Sequence, residues 1–305
     1  MKVLIFGSNG LVGSNIAMKL EDSKENIEVI KSTRNDTNLF SLIETKRKIT
    51  TVQPDIIINA AAKVGGINAN NTQRFSFILD NLKINTNIFE AVAGLHDIKI
   101  INIGSSCIYP LNAKNPITEE SIMTGKLEPT NSPYSMAKLS AVELGRALKY
   151  QYGNDVINIM PTNIYGPNDH FNENNSHVIP GLIYKMHNAV VNQKSQVEIW
   201  GSGKPLREFM HVQDLASAVL FLIKNEVTED LLNIGTGEEI SIKELSKEIQ
   251  QVTKFNGELI FNNSFPDGNP KKLLDSSKML KLGWQPEISL KEGLADTYSW
   301  FTSNY

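Results

Sequence analysis

Apolar residues in this chain fall in short runs, and the runs change character along its length. In the first half, residues 3–6, 27–30, 55–59, 99–103 and 156–160 are dense in Val, Ile and Leu. Ile56-Ile57-Ile58 and Ile100-Ile101 show no polar alternation, as expected of strands covered on both faces. Between these runs, residues 11–20, 39–52, 75–93 and 134–152 read as helices. The alternation predicts right-handed crossovers and an α/β, Rossmann-type fold: a parallel sheet with helices on both faces.

After Tyr165-Gly166-Pro167 the rhythm breaks, and residues 168–175 are polar and turn-rich. Helices are expected over 178–191, 214–224, 243–252 and 290–301, the third capped by Ser241. Strands are expected over 197–200, 231–234 and 259–261, the first ended by Gly201-Ser202-Gly203. The expected organisation is a dinucleotide-binding domain over 1–165, with part of 208–235 returning to it. Residues 166–305 would form mainly a smaller, discontinuous substrate domain over the mouth of the sheet.

Composition narrows the function classes. With 30 basic and 33 acidic residues the formal net charge is −3, which offers no field to gather nucleic acid or an anionic membrane. No apolar segment reaches membrane-spanning length, and the apolar start breaks too early for a signal peptide. Cys107 is the single cysteine, so no intramolecular disulfide is possible; a reducing, cytoplasmic setting is expected. No metal site is expected.

The candidate chemistry begins at Gly7-Ser8-Asn9-Gly10-Leu11-Val12-Gly13, between the first strand and the first helix. Gly7 permits a tight turn, Gly10 lets the backbone approach a pyrophosphate, and Gly13 allows close helix packing. The following helix N-terminus suits phosphate binding. NAD sites usually carry an acid at the end of the second strand, but Lys31-Ser32-Thr33-Arg34-Asn35 has none there. Arg34 is a donor for a 2′-phosphate, which predicts NADP(H); a solvated loop arginine is the alternative.

Tyr134 and Lys138 stand four apart, on one face of a predicted helix. A nearby ammonium is expected to lower the phenol pKa, so that Tyr134 acts as general acid to an alkoxide forming on a ketone, or as base in reverse. Ser105 ends a strand facing this helix and can bind the same oxygen.

With these motifs in place, the chain resembles the extended short-chain dehydrogenase/reductases, and within them the epimerase-reductases of GDP-linked 4-keto-6-deoxy sugars. The resemblance runs the whole length. It is carried by Ala60-Ala61-Ala62-Lys63-Val64-Gly65-Gly66-Ile67, Gly104-Ser105-Ser106-Cys107-Ile108-Tyr109-Pro110, Pro161-Thr162-Asn163-Ile164-Tyr165-Gly166-Pro167 and Asn175-Ser176-His177-Val178-Ile179-Pro180. Further matches are Leu127-Glu128-Pro129-Thr130-Asn131, Trp200-Gly201-Ser202-Gly203, Arg207-Glu208-Phe209 and Lys272-Leu273-Leu274-Asp275.

The resemblance implies a second acid–base pair, Cys107 as base and His177 as acid, inverting C3 and C5 beside the ketone. Without the resemblance, His177 reads as a cap on the 178–191 helix. The resemblance also implies that Asn9, Leu11, Val12, Ala61, Pro161, Asn163, Ile164 and His177 join the glycines, Arg34, Ser105, Tyr134 and Lys138 around NADP(H). It places Lys185, Arg207, Asp267 and Lys272 on the GDP moiety and Trp200 against the substrate. The bland alternatives are surface charges and a core tryptophan.

This sequence departs from the family at Asn9, where a basic residue is frequent, at Asn59, where a bulkier residue is usual, and at His170. The expected activity is NADPH-dependent 3,5-epimerisation and C4 reduction of a GDP-4-keto-6-deoxy sugar. The rivals are a C4 reductase with little epimerase activity, on a GDP-4-keto sugar such as a heptose, and a non-catalytic NADP-binding sensor. A homodimer joined by residues 75–93 and 134–152 is implied as well.

Overall fold

A computed structural model describes residues 1–95, 97–172, 176–265 and 267–305. Asn175 and part of the predicted polar loop therefore lie outside the described residues.

The first half runs β1 (Lys2–Phe6), α1 (Leu11–Glu21), β2 (Glu28–Ser32), α2 (Leu42–Val52), β3 (Ile56–Asn59), α3 (Ile67–Thr72) and α4 (Arg74–Val92). It continues through β4 (Lys99–Ile103), α5 (Ser132–Tyr152) and β5 (Val156–Pro161). The second half runs β6 (Asn163–Tyr165), α6 (Val178–Val191), β7 (Gln196–Trp200), β8 (Leu206–Arg207), β9 (Phe209–His211), α7 (Val212–Lys224) and β10 (Leu231–Ile234). It ends with β11 (Ile240–Ser241), α8 (Ile242–Thr253), β12 (Glu258–Asn262), β13 (Lys271–Lys272), α9 (Ser277–Leu282) and α10 (Leu290–Asn304).

The main sheet has six parallel strands in the order β10-β5-β4-β3-β1-β2. Successive strand residues bury opposite faces. Val3, Ile5, Ile58 and Ile101 pack with Ile16, Leu215 and Val219 of α1 and α7. Leu4, Phe6, Ile57 and Ile100 pack with Ile49, Ile88 and Ala141 of α2, α4 and α5. A separate core joins α6, α8 and α10 through Ile183, Met186, Leu245, Ile249, Leu294 and Phe301. The first strand leads to β2 on one side and the chain returns to β3 on the other, so a topological switch lies between β1 and β3. Ligands of such sheets bind at that crevice.

Local chemistry sets the helix starts. The second helix begins at Leu42, three residues later than the apolar pattern predicts, because Ser41 Oγ accepts the Glu44 N–H at 3.3 Å. That leaves Leu39 and Phe40 outside the helix, where they line the central cleft. Both α8 and α10 open with capping boxes, Ser241–Glu244 and Ser289–Glu292. The short strands β6, β8, β9, β11 and β13 were not anticipated; at two or three residues each they carry too little periodicity to read.

A polar row crosses the middle of this apolar sheet. In register across β3, β4 and β5, Asn59 Nδ2 donates to Asn102 Oδ1 (2.9 Å) and Asn102 Nδ2 to Asn158 Oδ1 (2.8 Å). The Asn59 amide also reaches Asn85 Oδ1 of α4 at 3.1 Å, and Asn85 Nδ2 reaches the Ala137 carbonyl of α5 at 3.4 Å. Asn59 Oδ1 accepts from the Ala61 N–H at 3.3 Å. All four amides are buried and bonded, as buried polar groups must be.

Candidate active site

A cleft of roughly 560 Å³ opens at the carboxyl ends of the strands. Its floor is the glycine turn. Gly7 has φ +79°, and a Cβ there would stand 2.7 Å from the Ala61 nitrogen. A Cβ on Gly13 would meet the Gly7 carbonyl oxygen at 2.2 Å, so Gly13 sits behind the turn and not in the cleft wall. The first turn of α1 carries no acidic side chain, and Gly10 at its start offers no side-chain cap. Its free N–H groups and positive dipole end are open to an anion. These features fit a dinucleotide pyrophosphate. Of the predicted cofactor contacts, Asn9, Leu11, Val12, Arg34, Ala61, Pro161, Asn163 and Ile164 line the same cleft with Gly7 and Gly10.

The reactive side chains converge further along. Ser105 ends the loop after β4 in extended backbone, and its Oγ accepts the Cys107 N–H at 3.3 Å, starting a short 3-10 turn over Ser106–Ile108. That turn buries Cys107 against the cleft. Tyr134 and Lys138 come from the first turns of α5, where Pro133 is preset for a helix start. Lys138 is 3% exposed and its Nζ donates to the Ile103 carbonyl at 2.7 Å. The same ammonium lies 5.9 Å from the centre of the Tyr134 ring.

The electrostatics differ from the expected ones. Burial, seconded by the Cys107 charge, pushes the Tyr134 phenol up from its ordinary value, and only its hydrogen bond with Ser105 pulls it down. Lys138 does not lower it, because that ammonium is itself desolvated and turned toward Ile103. Burial brings Lys138 down to about 8, opposed by the nearby Cys107 charge. Tyr134 is thus a neutral phenol, the form that gives a proton.

His177 precedes α6, but its side chain caps nothing, so the capping alternative fails. The imidazole is accessible, yet it opens onto the cleft rather than bulk water. The surrounding protein still disfavours its charged form and holds it below the usual histidine value.

Of the predicted substrate contacts, Arg207 and Lys272 line the cleft from the paired strands β8 and β13. Burial lowers both, with the Cys107 charge favouring the Lys272 ammonium. Lys185, Trp200 and Asp267 stand outside the cleft wall. Lys185 Nζ lies 4.4 Å over the Trp200 ring, which stacks on Phe265 at 4.5 Å. Asp267 is engaged by Ser202, accepting its N–H and its hydroxyl at 2.7 Å each.

Sequence reasoning did not single out Glu128, Thr130, Asn131 or Asp169 for the wall. Asp169 is buried, its Oδ1 accepts the His170 N–H at 2.7 Å, and its Oδ2 has no partner among the described residues. Burial raises this carboxyl to about 7. An acid in a turn-rich loop looks solvated in sequence, which hides such a residue. Among the described residues no cluster of His, Cys, Asp and Glu could hold a metal ion.

A sequence profile of the NAD dependent epimerase/dehydratase family matches residues 3–235, which include the glycine turn, Ser105, Tyr134 and Lys138. The chain belongs to this family. Among members it is similar to the GDP-L-fucose synthase of Escherichia coli strain K12, at 43% identity over 99% of this chain and 97% of that one. Its fold resembles a GDP-L-fucose synthetase from Naegleria fowleri bound to NADP, with a TM-score of 0.90 and 29% identity over 100% of this chain and 94% of that one. A GDP-6-OMe-4-keto-L-xylo-heptose reductase from C. jejuni is also similar, with a TM-score of 0.91 and 30% identity over 100% and 98% of the two chains.

Proposed function

We propose that this epimerase/dehydratase family member converts a GDP-4-keto-6-deoxy sugar by 3,5-epimerisation and C4 reduction with NADP(H), as a GDP-L-fucose synthase does. The observation carrying this reading is the convergence of Ser105, Cys107, Tyr134, Lys138 and His177 on one cleft whose floor is the glycine turn. Whole-length identity of 43% to the E. coli synthase, against 30% to the heptose reductase, favours the epimerising reading over the C4 reductase alone.

In this reading the glycine turn, the start of α1, Arg34 and the Pro161–Ile164 segment hold the cofactor, which supplies the hydride to C4. Cys107 takes the proton from C3 and then C5, both made acidic by the C4 ketone. Its charge is matched by the neighbouring Lys138 and Lys272 ammoniums. His177, protonated for the step, returns a proton on the opposite ring face; before C5 is inverted Cys107 releases its proton to solvent and His177 takes one up, so each inversion is proton-neutral. Ser105 orients the C4 oxygen, and Tyr134 gives that oxygen its proton as the alkoxide forms. Lys138, fixed by Ile103, positions Tyr134 and the cofactor ribose.

Arg207 and Lys272 face the diphosphate from within the cleft. Lys185, Trp200 and Asp267 contribute at its margin, where Asp267 would exchange its Ser202 bonds for a ligand hydroxyl. We read 166–305, apart from the part of 208–235 that returns to the first domain, as mainly the sugar-nucleotide region. The apolar strip on α4 and α5, with Phe75 and Met136 exposed and Ile78 half-buried, is read as a homodimer contact. No helix among the described residues is long and apolar enough to cross a membrane, and a reducing cytoplasm suits the single thiol.

The test is incubation with GDP-4-keto-6-deoxymannose in D2O, first without and then with NADPH. Deuterium at C3 and C5 without NADPH, followed by NADPH-dependent formation of the L-sugar, supports the proposal. Reduction with no ring exchange would instead establish the C4 reductase.

A further inference from the structure

The turn after β2 holds a carboxylate that the NADP(H) reading does not use. Asp36 follows Ser32, the last residue of β2, by four positions, close to where a ribose-binding acid stands in NAD sites. The chain coils at this point. Both the Asp36 and Thr37 N–H groups donate to the Thr33 carbonyl at 3.1 Å. The Thr33 N–H donates to Asp36 Oδ2 at 2.8 Å, and the Thr33 hydroxyl donates to the same oxygen at 2.6 Å. The Asn35 N–H in turn donates to Thr33 Oγ1 at 3.3 Å. These donors hold the Asp36 carboxyl below its ordinary value, the hydroxyl foremost, so it is an anion fixed in the turn.

The outcome is a sorting of charges on one short segment. Thr33, Arg34, Thr37 and Asn38 line the cleft, and Asp36 does not. Arg34 forms no ion pair among the described residues, and its charge is not among those acting on Asp36. A latch in which one threonine supplies both donors to one carboxylate oxygen thus leaves the guanidinium uncompensated.

We propose that Thr33 determines the choice of dinucleotide: its hydroxyl holds Asp36 back from the ribose 2′ position, so that Arg34 meets a 2′-phosphate with no competing anion. This rests on the reading that Arg34 faces the 2′-phosphate. Released, the Asp36 carboxylate would accept from a ribose 2′-hydroxyl and repel a 2′-phosphate. Thr33 is therefore a specificity-determining residue acting through Asp36.

The test measures dissociation constants of NADP+ and NAD+, and of the fragments 2′,5′-ADP and 5′-AMP, by calorimetry. In Thr33→Val, which keeps the β-branched shape, the affinity ratio of phosphorylated over unphosphorylated ligand should fall about tenfold, the weight of one charge-assisted hydrogen bond. In the Thr33→Val/Asp36→Asn double variant the ratio should return to that of Asp36→Asn alone. An unmoved ratio in Thr33→Val overturns the proposal. So does a fall that persists in the Asp36→Asn background, which would trace the effect to turn geometry. Arg34→Ala reads the underlying assignment separately: an unchanged ratio there refutes Arg34, while Thr33 is judged by the other two variants.

Discussion

At the scale of single residues, burial governs the chemistry more than pairing does. Tyr134 is held neutral because its phenolate would be desolvated, and the ammonium four residues on is spent on the Ile103 carbonyl. The side chain is therefore suited to giving a proton during reduction. Tyr134→Phe should lower turnover by about 10²- to 10⁴-fold while NADP+ binding, followed by fluorescence quenching, stays within a few-fold of wild type. Parallel loss of binding would show that the hydroxyl holds the cofactor instead.

Asp169 is shaped by the same cause. Its folded pKa, about 7, lies above the unfolded value of about 3.9, so the folded state keeps a proton that the unfolded chain has lost between those pH values. Stability must then fall as pH rises through that window and level off above it. Asp169→Asn removes the penalty, and its denaturant midpoint should climb relative to wild type from about pH 4 to about pH 8. A constant gap across that range would count against the assignment. The motif residues of this centre were readable because their types and spacing state their chemistry. Asp169 was not, since its burial is made by the fold around it.

At the scale of elements, the strand cores were the legible part. Ile56-Ile57-Ile58 lies buried in a parallel strand, as its unbroken apolar run implies. Helix starts were less so: α2 begins late because Ser41 caps it, and α5 begins early because Pro133 fits its first turn. The asparagine row was noticed only at Asn59, since the other members lie in three further elements and nothing local links them. Its effect is to tie β3, β4 and β5 to the helix bearing Tyr134 and Lys138. Asn102→Ala would take one of its two acceptors from the Asn59 amide, which keeps Asn85, and would leave Asn158 Oδ1 without its donor, a buried unsatisfied group costing about 1–3 kcal/mol. Thermal denaturation should show a loss of that order, and replacement by a residue whose side chain neither donates nor accepts should not restore it.

For the whole molecule, Phe75 is 75% exposed and Met136 45%, two apolar side chains lining one surface groove. If two copies meet there, Phe75→Glu should halve the mass measured by light scattering while leaving the far-UV spectrum intact. An unchanged mass would place the contact elsewhere or make the chain a monomer.

The sheet itself also constrains how the protein can be divided. Its outer strand β10, paired with β5, comes from residues 231–234, and the helix before it covers α1. A fragment stopping at residue 165 would keep the glycine turn, Arg34, Ser105, Tyr134 and Lys138 yet lose His177, leave β5 a bare edge, and expose Ile157 and Ile159 where α7 covered them. Domain shuffling, split-enzyme engineering or limited proteolysis at the polar loop should therefore yield insoluble halves, and a permuted chain would have to keep the late strand and its helix joined to the early ones.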